Sequence, residues 1–402
     1  MCNEFSGGLI HFCNIYSIFD SFLPENLDWM AFMMAAISLA FAAVNVVVMA
    51  TALYILFERR VLARFQARLG PNRWGPFGIF QPIADLIKII TKEDTTTDIA
   101  DKIVHNLAPI IFLSATLAVI AVIPLGNNSF LGKLNVGVLY IVAITSVNVV
   151  AIIMAGWADG NKYSMLGAMR GVAMLISYEI PMGLAIVGVI LMSGTMSLSG
   201  IVEAQQLPFL LVQPLGFLIF LIASVAEMSR APFDQIEAES ELGAGYHTEY
   251  SGMKFGIFQL AEFMAPLITG IVVTTLFLGG FRGWSWLPGE LWFLIKVFSV
   301  VFVLLWIRAT WPRIRFDQIM AFSWKALLAL AFLNIILLVV EIEIFQDNLG
   351  SISLNSLILM GAINWVVTIV SIVFMANALG QSKLKRPKAQ PSSLANMYAE
   401  SE

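Results

Sequence analysis

Nine apolar stretches, each near the length that crosses a lipid bilayer, constrain this chain more than anything else in it. They run over about 29–57, 107–125, 136–157, 171–194, 208–226, 255–280, 291–309, 326–345 and 353–379. A spanning helix needs roughly 20 mainly apolar residues. Sheet or loop cannot cross lipid without leaving backbone groups unsatisfied, so the stretches are read as helices. Composition agrees: 12% of residues are charged, where a soluble domain carries about 25%, and mean hydropathy is +0.83. The fold class expected is an all-α polytopic membrane protein of about nine transmembrane helices, not a soluble domain with an unusually apolar core.

The distribution of basic residues orients these spans. With the N-terminus outside, the inside segments hold Arg59, Arg60, Arg64, Arg68, Arg73, Lys88, Lys92 and Lys102, then Lys162 and Arg170, then Arg230 and Lys254. Arg308, Arg313, Arg315, Lys325, Lys383, Lys385, Arg386 and Lys388 follow, making twenty of 23. Lys133 and Arg282 fall outside, and Lys296 lies within a span. The positive-inside rule then gives N-terminus out and C-terminus in, with the Lys383–Lys388 cluster supporting the ninth span.

The divisions expected are an extension over 1–28, a membrane domain over 29–379 and a basic cytoplasmic tail over 380–402. The first 28 residues lack a basic n-region and a small-residue cleavage site, so they are not read as a signal peptide. Net charge of −4 argues against nucleic acid as a partner. Cys2 and Cys13 are too few for an iron–sulfur cluster. His11, His105 and His247 lack metal-ligand spacing, and no nucleotide-binding glycine motif is present. The chain is therefore expected to bind no metal and no cofactor of its own.

Three inside loops, 58–106, 227–254 and 308–325, carry the unusual polar sequence. The first reads ERRVLARFQARLGPNRWGPFGIFQPIADLIK. Its Arg60, Arg64 and Arg68 have the spacing of one helical face, and Gly70-Pro71 and Gly75-Pro76 interrupt any helix. Beyond Pro82, Ile83, Leu86, Ile87 and Ile90 recur at helical spacing opposite Asp85, Lys88 and Lys92, which predicts an amphipathic helix along the membrane surface. A surface anchor with positive-inside bases would account for the arginines but not for rigid turns alternating with apolar helix. The second loop sets Glu227, Asp234, Glu237, Glu239, Glu241 and Glu249 against Arg230. Asp234, Glu237 and Glu241 would share a face if helical. Packed against protein, such carboxylates suit a proton relay; a solvated acidic loop is the plainer alternative. The third, RATWPRIRFDQIMAFSWK, places Arg308, Arg313 and Arg315 where they would neutralise the acids or grip a partner.

Acids inside spans point the same way. Glu179, in LISYEIPMGL, and Glu262, in FQLAEFMAPL, each lie about eight residues past a base, Arg170 and Lys254, roughly 12 Å into the membrane from one side. Pro181 and Pro266 come after them and free backbone groups. Intramembrane carboxylates are functional candidates by default, with a structural hydrogen bond as the alternative. Lys296, Glu341 and Glu343 lie near an outer boundary, within snorkelling reach of the surface.

The first loop, NKYSMLGAMRGVAMLISYEIP, AEMSRAPFDQIEAESELGAGYHTEYSGMKF and RATWPRIRFDQIMAFSWK together resemble the family of the membrane H subunit of NADH-quinone oxidoreductase, called subunit 1 in mitochondria. The matches keep the family's order and cover most of 50–340. The resemblance implies an eight-helix core with one added C-terminal span, at the junction of the electron-transfer and proton-pumping arms of respiratory complex I. It implies a proton path through Glu179, Glu227, Asp234, Glu237, Glu239, Glu241, Glu249 and Glu262. It also implies a quinone passage near Arg59, Arg68, Asp85, Arg230 and Arg308. Departures include Ser229 for asparagine, Gln235-Ile236 for Leu-Pro, and Asp159-Gly160 for small or amide residues.

The resemblance further implies a subunit without activity of its own that completes a quinone site, taking ubiquinone or menaquinone as substrate. Partner subunits would carry FMN and iron–sulfur clusters, and small membrane subunits would adjoin it beside antiporter-like ones. The location implied is the bacterial plasma membrane. Two rivals are a complex I relative fed by ferredoxin or another reduced carrier, and a secondary transporter. The transporter would carry an internal repeat, which the sequence does not display by eye.

Overall fold

The structure, a computed structural model, describes residues 28–124, 134–236, 243–283, 286–345 and 353–384. The expectations for the N-terminal extension before Asp28, for Glu237, Glu239 and Glu241, and for the basic tail from Lys385 lie outside these residues. Among the described residues there is no strand, and eight helices are long and apolar enough to cross a membrane. A shorter apolar helix, Pro214–Glu227, stands where the fifth span is expected.

In chain order the helices are α1 (Asp28–Phe65), α2 (Gln81–Thr91), α3 (Lys102–Ala118), α4 (Gly137–Ala158) and α5 (Lys162–Ser193). After the short α6 (Leu198–Ala204) and α7 (Phe209–Val212) come α8 (Pro214–Glu227), α9 (Gly252–Phe277) and α10 (Gly289–Thr310). A π turn at Ser323–Leu327 joins α11 (Phe316–Phe322) to α12 (Leu328–Phe345), and α13 (Leu354–Leu384) is the last.

Local chemistry sets several of these ends. The Asp101 side chain accepts from Ile103 N–H at the start of α3, and that of Asn161 accepts from Tyr163 N–H at the start of α5, satisfying donors that a helix start leaves open. The stretch 208–226 is not one helix: it breaks at Gln213, and Pro214 opens α8 at a position where its missing N–H costs nothing.

Spans run further than expected at the ends read as inside. α1 continues to Phe65, α5 starts at Lys162, and helix resumes at Phe316, because Arg and Lys favour helix and carry their charge outward on long stems. The expectation of Arg60, Arg64 and Arg68 on one helical face fails at Arg68. Ala67 takes φ 54°, its N–H bonds to Arg64 O at 3.1 Å, and Arg68 N–H returns to Ala63 O at 2.9 Å. That paired closure ends the helix before Arg68.

α5 packs against α4, α8 and α12, while α9 packs against α3, α10 and α1. Small residues bring backbones close where α4 meets the start of α5, as van der Waals packing in lipid requires. A Cβ on Gly156 of α4 would lie 2.3 Å from that of Ala168 on α5, and one on Gly167 would lie 2.8 Å from Gly245 Cα. Outward positions such as Phe41, Val46 and Phe374 are exposed and apolar, a surface suited to lipid. The chain is membrane-embedded.

Candidate functional site

Glu179 on α5, Glu227 at the end of α8 and Glu262 on α9 line one interior cavity of about 110 Å³. A water's share of liquid volume is about 30 Å³, so the space holds a few waters. Apolar side chains such as Phe112, Ile141 and Phe220 form most of its wall. Polar groups nonetheless meet the carboxylates. Glu179 accepts from the Ser146 hydroxyl on α4, and Thr145 lines the cavity with Glu227, its hydroxyl donating to Val142 O at 3.0 Å. Glu262 accepts from Tyr246 Oη at 2.9 Å and from Gln259 Nε2 at 3.4 Å, with Arg230 Nη2 4.0 Å away. Glu179 lies close enough to Glu227 for their charges to interact.

The cavity rim continues through the acidic loop's first residues. Arg230 stacks its guanidinium over the Phe263 ring at 4.6 Å. The segment after α10 docks here: Ile314 N–H donates to Pro232 O at 3.1 Å, and Gln235 Nε2 donates to Ile314 O at 2.5 Å. Arg308 forms an ion pair with buried Glu58 of α1. Tyr54, one turn before Glu58 and also buried, senses the charges of Arg230 and Arg308. Glu58, Arg308 and Tyr54 thus gather on the inner face of α1, within electrostatic range of Arg230 at the cavity rim. On the other side of α1, Arg59 Nη1 bonds Asp85 Oδ2 of α2 at 2.6 Å, and Gln81 Nε2 donates to Asp85 Oδ1 at 3.3 Å.

That pairing turns α2 so that Ile89 packs against Gly256 of α9, while Ile83, Leu86, Ile87 and Ile90 stay exposed. The apolar face predicted for this helix therefore faces away from the chain's own core. Arg68 is exposed and donates to Gln66 Oε1 at 2.7 Å, apart from the cluster. Arg313 and Arg315 are exposed as well.

Not every expected acid joins the cavity. Asp234 lies half-buried in irregular backbone between α8 and residue 236, so it does not begin a helical face with Glu237 and Glu241. Pro232, which interrupts helical hydrogen bonding, supplies the reason. Glu249 faces another cluster, accepting from Asn161 Nδ2 at 2.8 Å. That cluster holds buried His105 and Asp159, with His105 Nδ1 3.2 Å from Asp159 Oδ1. Burial lifts the Asp159 carboxyl from its usual range to about 7; the Ser164 hydroxyl and the Glu249 N–H oppose the rise, and the Glu249 charge adds to it. Burial also raises the Tyr250 hydroxyl, with the Asp159 charge acting in the same direction.

Several partners escaped sequence reasoning. Glu58 shares a helical stripe with buried Thr51 and Tyr54, a spacing that marks an inner face. Ser146, Thr145 and Tyr246 carry no such mark, since their roles depend on which helices meet. Glu341 does not snorkel: it is buried and accepts from Asn364 Nδ2 of α13 at 2.7 Å, because α13 covers it. Glu343 is exposed. Lys296 turns to backbone, donating to the carbonyls of Leu278, Gly280 and Arg282 at 2.7, 3.0 and 2.6 Å.

Residues 37–339 match the model of the family described as NADH dehydrogenase. The chain is similar to the H subunit of NADH-quinone oxidoreductase from Dehalococcoides mccartyi, 49% identical over 315 residues, 78% of this chain and 87% of that one. A protein of Syntrophobacter fumaroxidans, named as a second H subunit of NADH-quinone oxidoreductase, is 45% identical over 319 residues, covering 77% and 96%. The H subunit of NADH-quinone oxidoreductase from Geobacillus kaustophilus is 48% identical over 288 residues, covering 70% and 86%. The family expected from the loop motifs is the family these matches give.

Proposed function

This chain belongs to the NADH dehydrogenase family as a membrane subunit of the complex I type, and on that premise we propose that its interior carboxylate cavity couples quinone reduction to proton translocation. Its partners are other subunits of that enzyme. The observation that carries the proposal is the convergence of Glu179, Glu227 and Glu262, from three helices, on one largely apolar cavity. Carboxylates so placed are costly unless they serve protonation or are fully paired. Sharing one cavity also couples them: a proton held by one alters the occupancy of the others.

The quinone enters, on this reading, past the exposed apolar face of α2. Arg59 and Asp85 hold that helix to α1, and Glu58, Arg308 and Tyr54 lie within electrostatic range of Arg230, which neighbours Glu262. Reduction of a quinone adds two electrons, delivered from a partner subunit, and leaves a dianion that draws two protons. Arg230 and Arg308 are the cations that answer that charge. As Arg230 responds to new anionic charge its hold on Glu262 changes, and Glu262 passes the change to the cavity. Partner surfaces for the peripheral quinone-site and iron–sulfur subunits would use the exposed Arg313 and Arg315; the small membrane subunits would receive the lateral output. The membrane is read as the bacterial plasma membrane, with the N-terminus outside.

The decisive experiment replaces titratable carboxyls by amides of the same shape, Glu179→Gln and Glu227→Gln, in the assembled enzyme. Quinone reduction and membrane potential are read together. Loss of both supports the cavity as the coupling site; retention of both removes it.

A further inference from the structure

The acidic loop returns to the membrane through residues 243–250, and a buried cluster outside the carboxylate cavity holds that return. His105 of α3 and Asp159, just past α4, are both buried, their Nδ1 and Oδ1 atoms 3.2 Å apart. Asp159 Oδ2 accepts from Ser164 Oγ at 2.6 Å, and the Glu249 backbone lies alongside the same carboxylate. Ser164 Oγ also lies 3.1 Å from Tyr246 O. The Tyr250 ring stacks on the imidazole, with centroids 4.0 Å apart and planes 8° from parallel. Two buried polar atoms of this cluster, His105 Nε2 and the Tyr250 hydroxyl, have no hydrogen-bond partner among the described residues. The charged groups around it are Glu249, held by Asn161; Lys254, paired with Asp94 at 3.0 Å; and Asp101, which caps α3.

We propose that His105 and Asp159 form a second proton-binding site of this chain, a buried imidazole–carboxyl pair that takes up one proton from the inside aqueous phase beside Glu249 and releases it during turnover. With one proton between the facing nitrogen and oxygen, the pair carries a charge of −1 and keeps its hydrogen bond. A second proton makes it neutral, and the hydrogen bond again survives. The site thus changes charge by one without breaking its geometry, which a carboxylate locked to a fixed cation does not do. The buried ring disfavours a charge of its own, so the further proton rests on the Asp159 carboxyl with a neutral imidazole beside it. Burial, which holds Asp159 near 7, places the exchange in the working pH range.

A link to the cavity comes through Tyr246. Its backbone carbonyl meets Ser164 in this cluster, while its hydroxyl donates to Glu262. A charge change at Asp159 therefore acts on the segment that positions the hydroxyl on Glu262. That link rests on the cavity reading; the proton-binding site itself does not.

The test uses the intact enzyme in membranes, with quinone reduction measured across pH 6–9. A pair that must hold the second proton gives the native rate an alkaline limb centred near neutral pH. Asp159→Asn keeps a partner for Ser164 and His105 but cannot titrate, so that limb should disappear. His105→Phe keeps the stack on Tyr250 but removes the donor to the carboxylate, and should move the limb up by about one unit. Native-like profiles in both variants would overturn the proposal. So would loss of the assembled complex in both variants, since the pair would then be a structural clasp. The cavity reading is tested separately by the rate of Glu179→Gln and Glu227→Gln at one pH. Full rate there with a flattened profile in Asp159→Asn would remove the cavity and keep the pair; the converse would remove the pair alone.

Discussion

Arg308 reaches Glu58 from a distant part of the chain, and the two charges are buried enough to depend on each other. Removing one partner of such a pair strands the other, at a cost of about 3–5 kcal/mol, whereas replacing both is often close to neutral. Arg308→Met should therefore lower the unfolding stability of the solubilised protein by about that much. Glu58→Gln with Arg308→Met should recover most of it while quinone reduction stays low, because on the proposed reading Arg308 is a cation that answers the quinone's charge. Equal destabilisation in the single and double variants, measured by denaturant titration, would refute the pairing argument. Residues of this kind were partly legible. Glu179 and Glu262 stand out as acids in apolar runs, and Arg308 as a base at the end of another. Glu58 was hidden in a run of polar residues, and Asp159 looked like a loop residue, because burial of either depends on helices far away in sequence.

α2 was legible as an element, since its period of apolar residues survives inside a polar loop. Which face it offers the protein was not, because the Arg59–Asp85 bond and the contact of Ile89 with Gly256 decide it. With Ile83, Leu86, Ile87 and Ile90 facing outward, a photoreactive quinone analogue should label residues 81–91 in the assembled enzyme. Labelling confined to other subunits would return α2 to the role of a membrane anchor. The break at Gln213 and the end of α1 at Phe65 were missed for a different reason: both are set by backbone geometry, which apolar periodicity does not report. α13 attaches through a side-chain bond that hydropathy also could not show. Asn364 Nδ2 donates to Glu341 at 2.7 Å and to Val212 O at 3.0 Å. Asn364→Leu should cost about 1–3 kcal/mol by leaving that carboxyl without its donor, and pairing it with Glu341→Leu should restore most of the loss. Thermal unfolding of the two variants measures this; the same loss in the double variant would show that the bond is not what holds α13.

For the whole molecule, hydropathy carried most of the architecture, because lipid allows so few solutions for the backbone. Base placement predicts the orientation: a cysteine placed among Lys383–Lys388 should react with an impermeant thiol reagent only from the cytoplasmic side. Labelling from outside in intact cells would reverse the topology. What sequence could not supply was the meeting of α4, α5, α8 and α9 around one cavity, since that depends on packing between helices of nearly uniform hydrophobicity. That meeting is the basis of the functional account, and one measurement addresses it most directly. Sealed vesicles carrying complexes with Glu179→Gln or Glu227→Gln, intact on native gels, are assayed for quinone reduction and membrane potential together. The account predicts that both fall in parallel, by at least about tenfold, because a cycle that cannot complete its protonation step stalls. Full reduction with full membrane potential in both variants would contradict it.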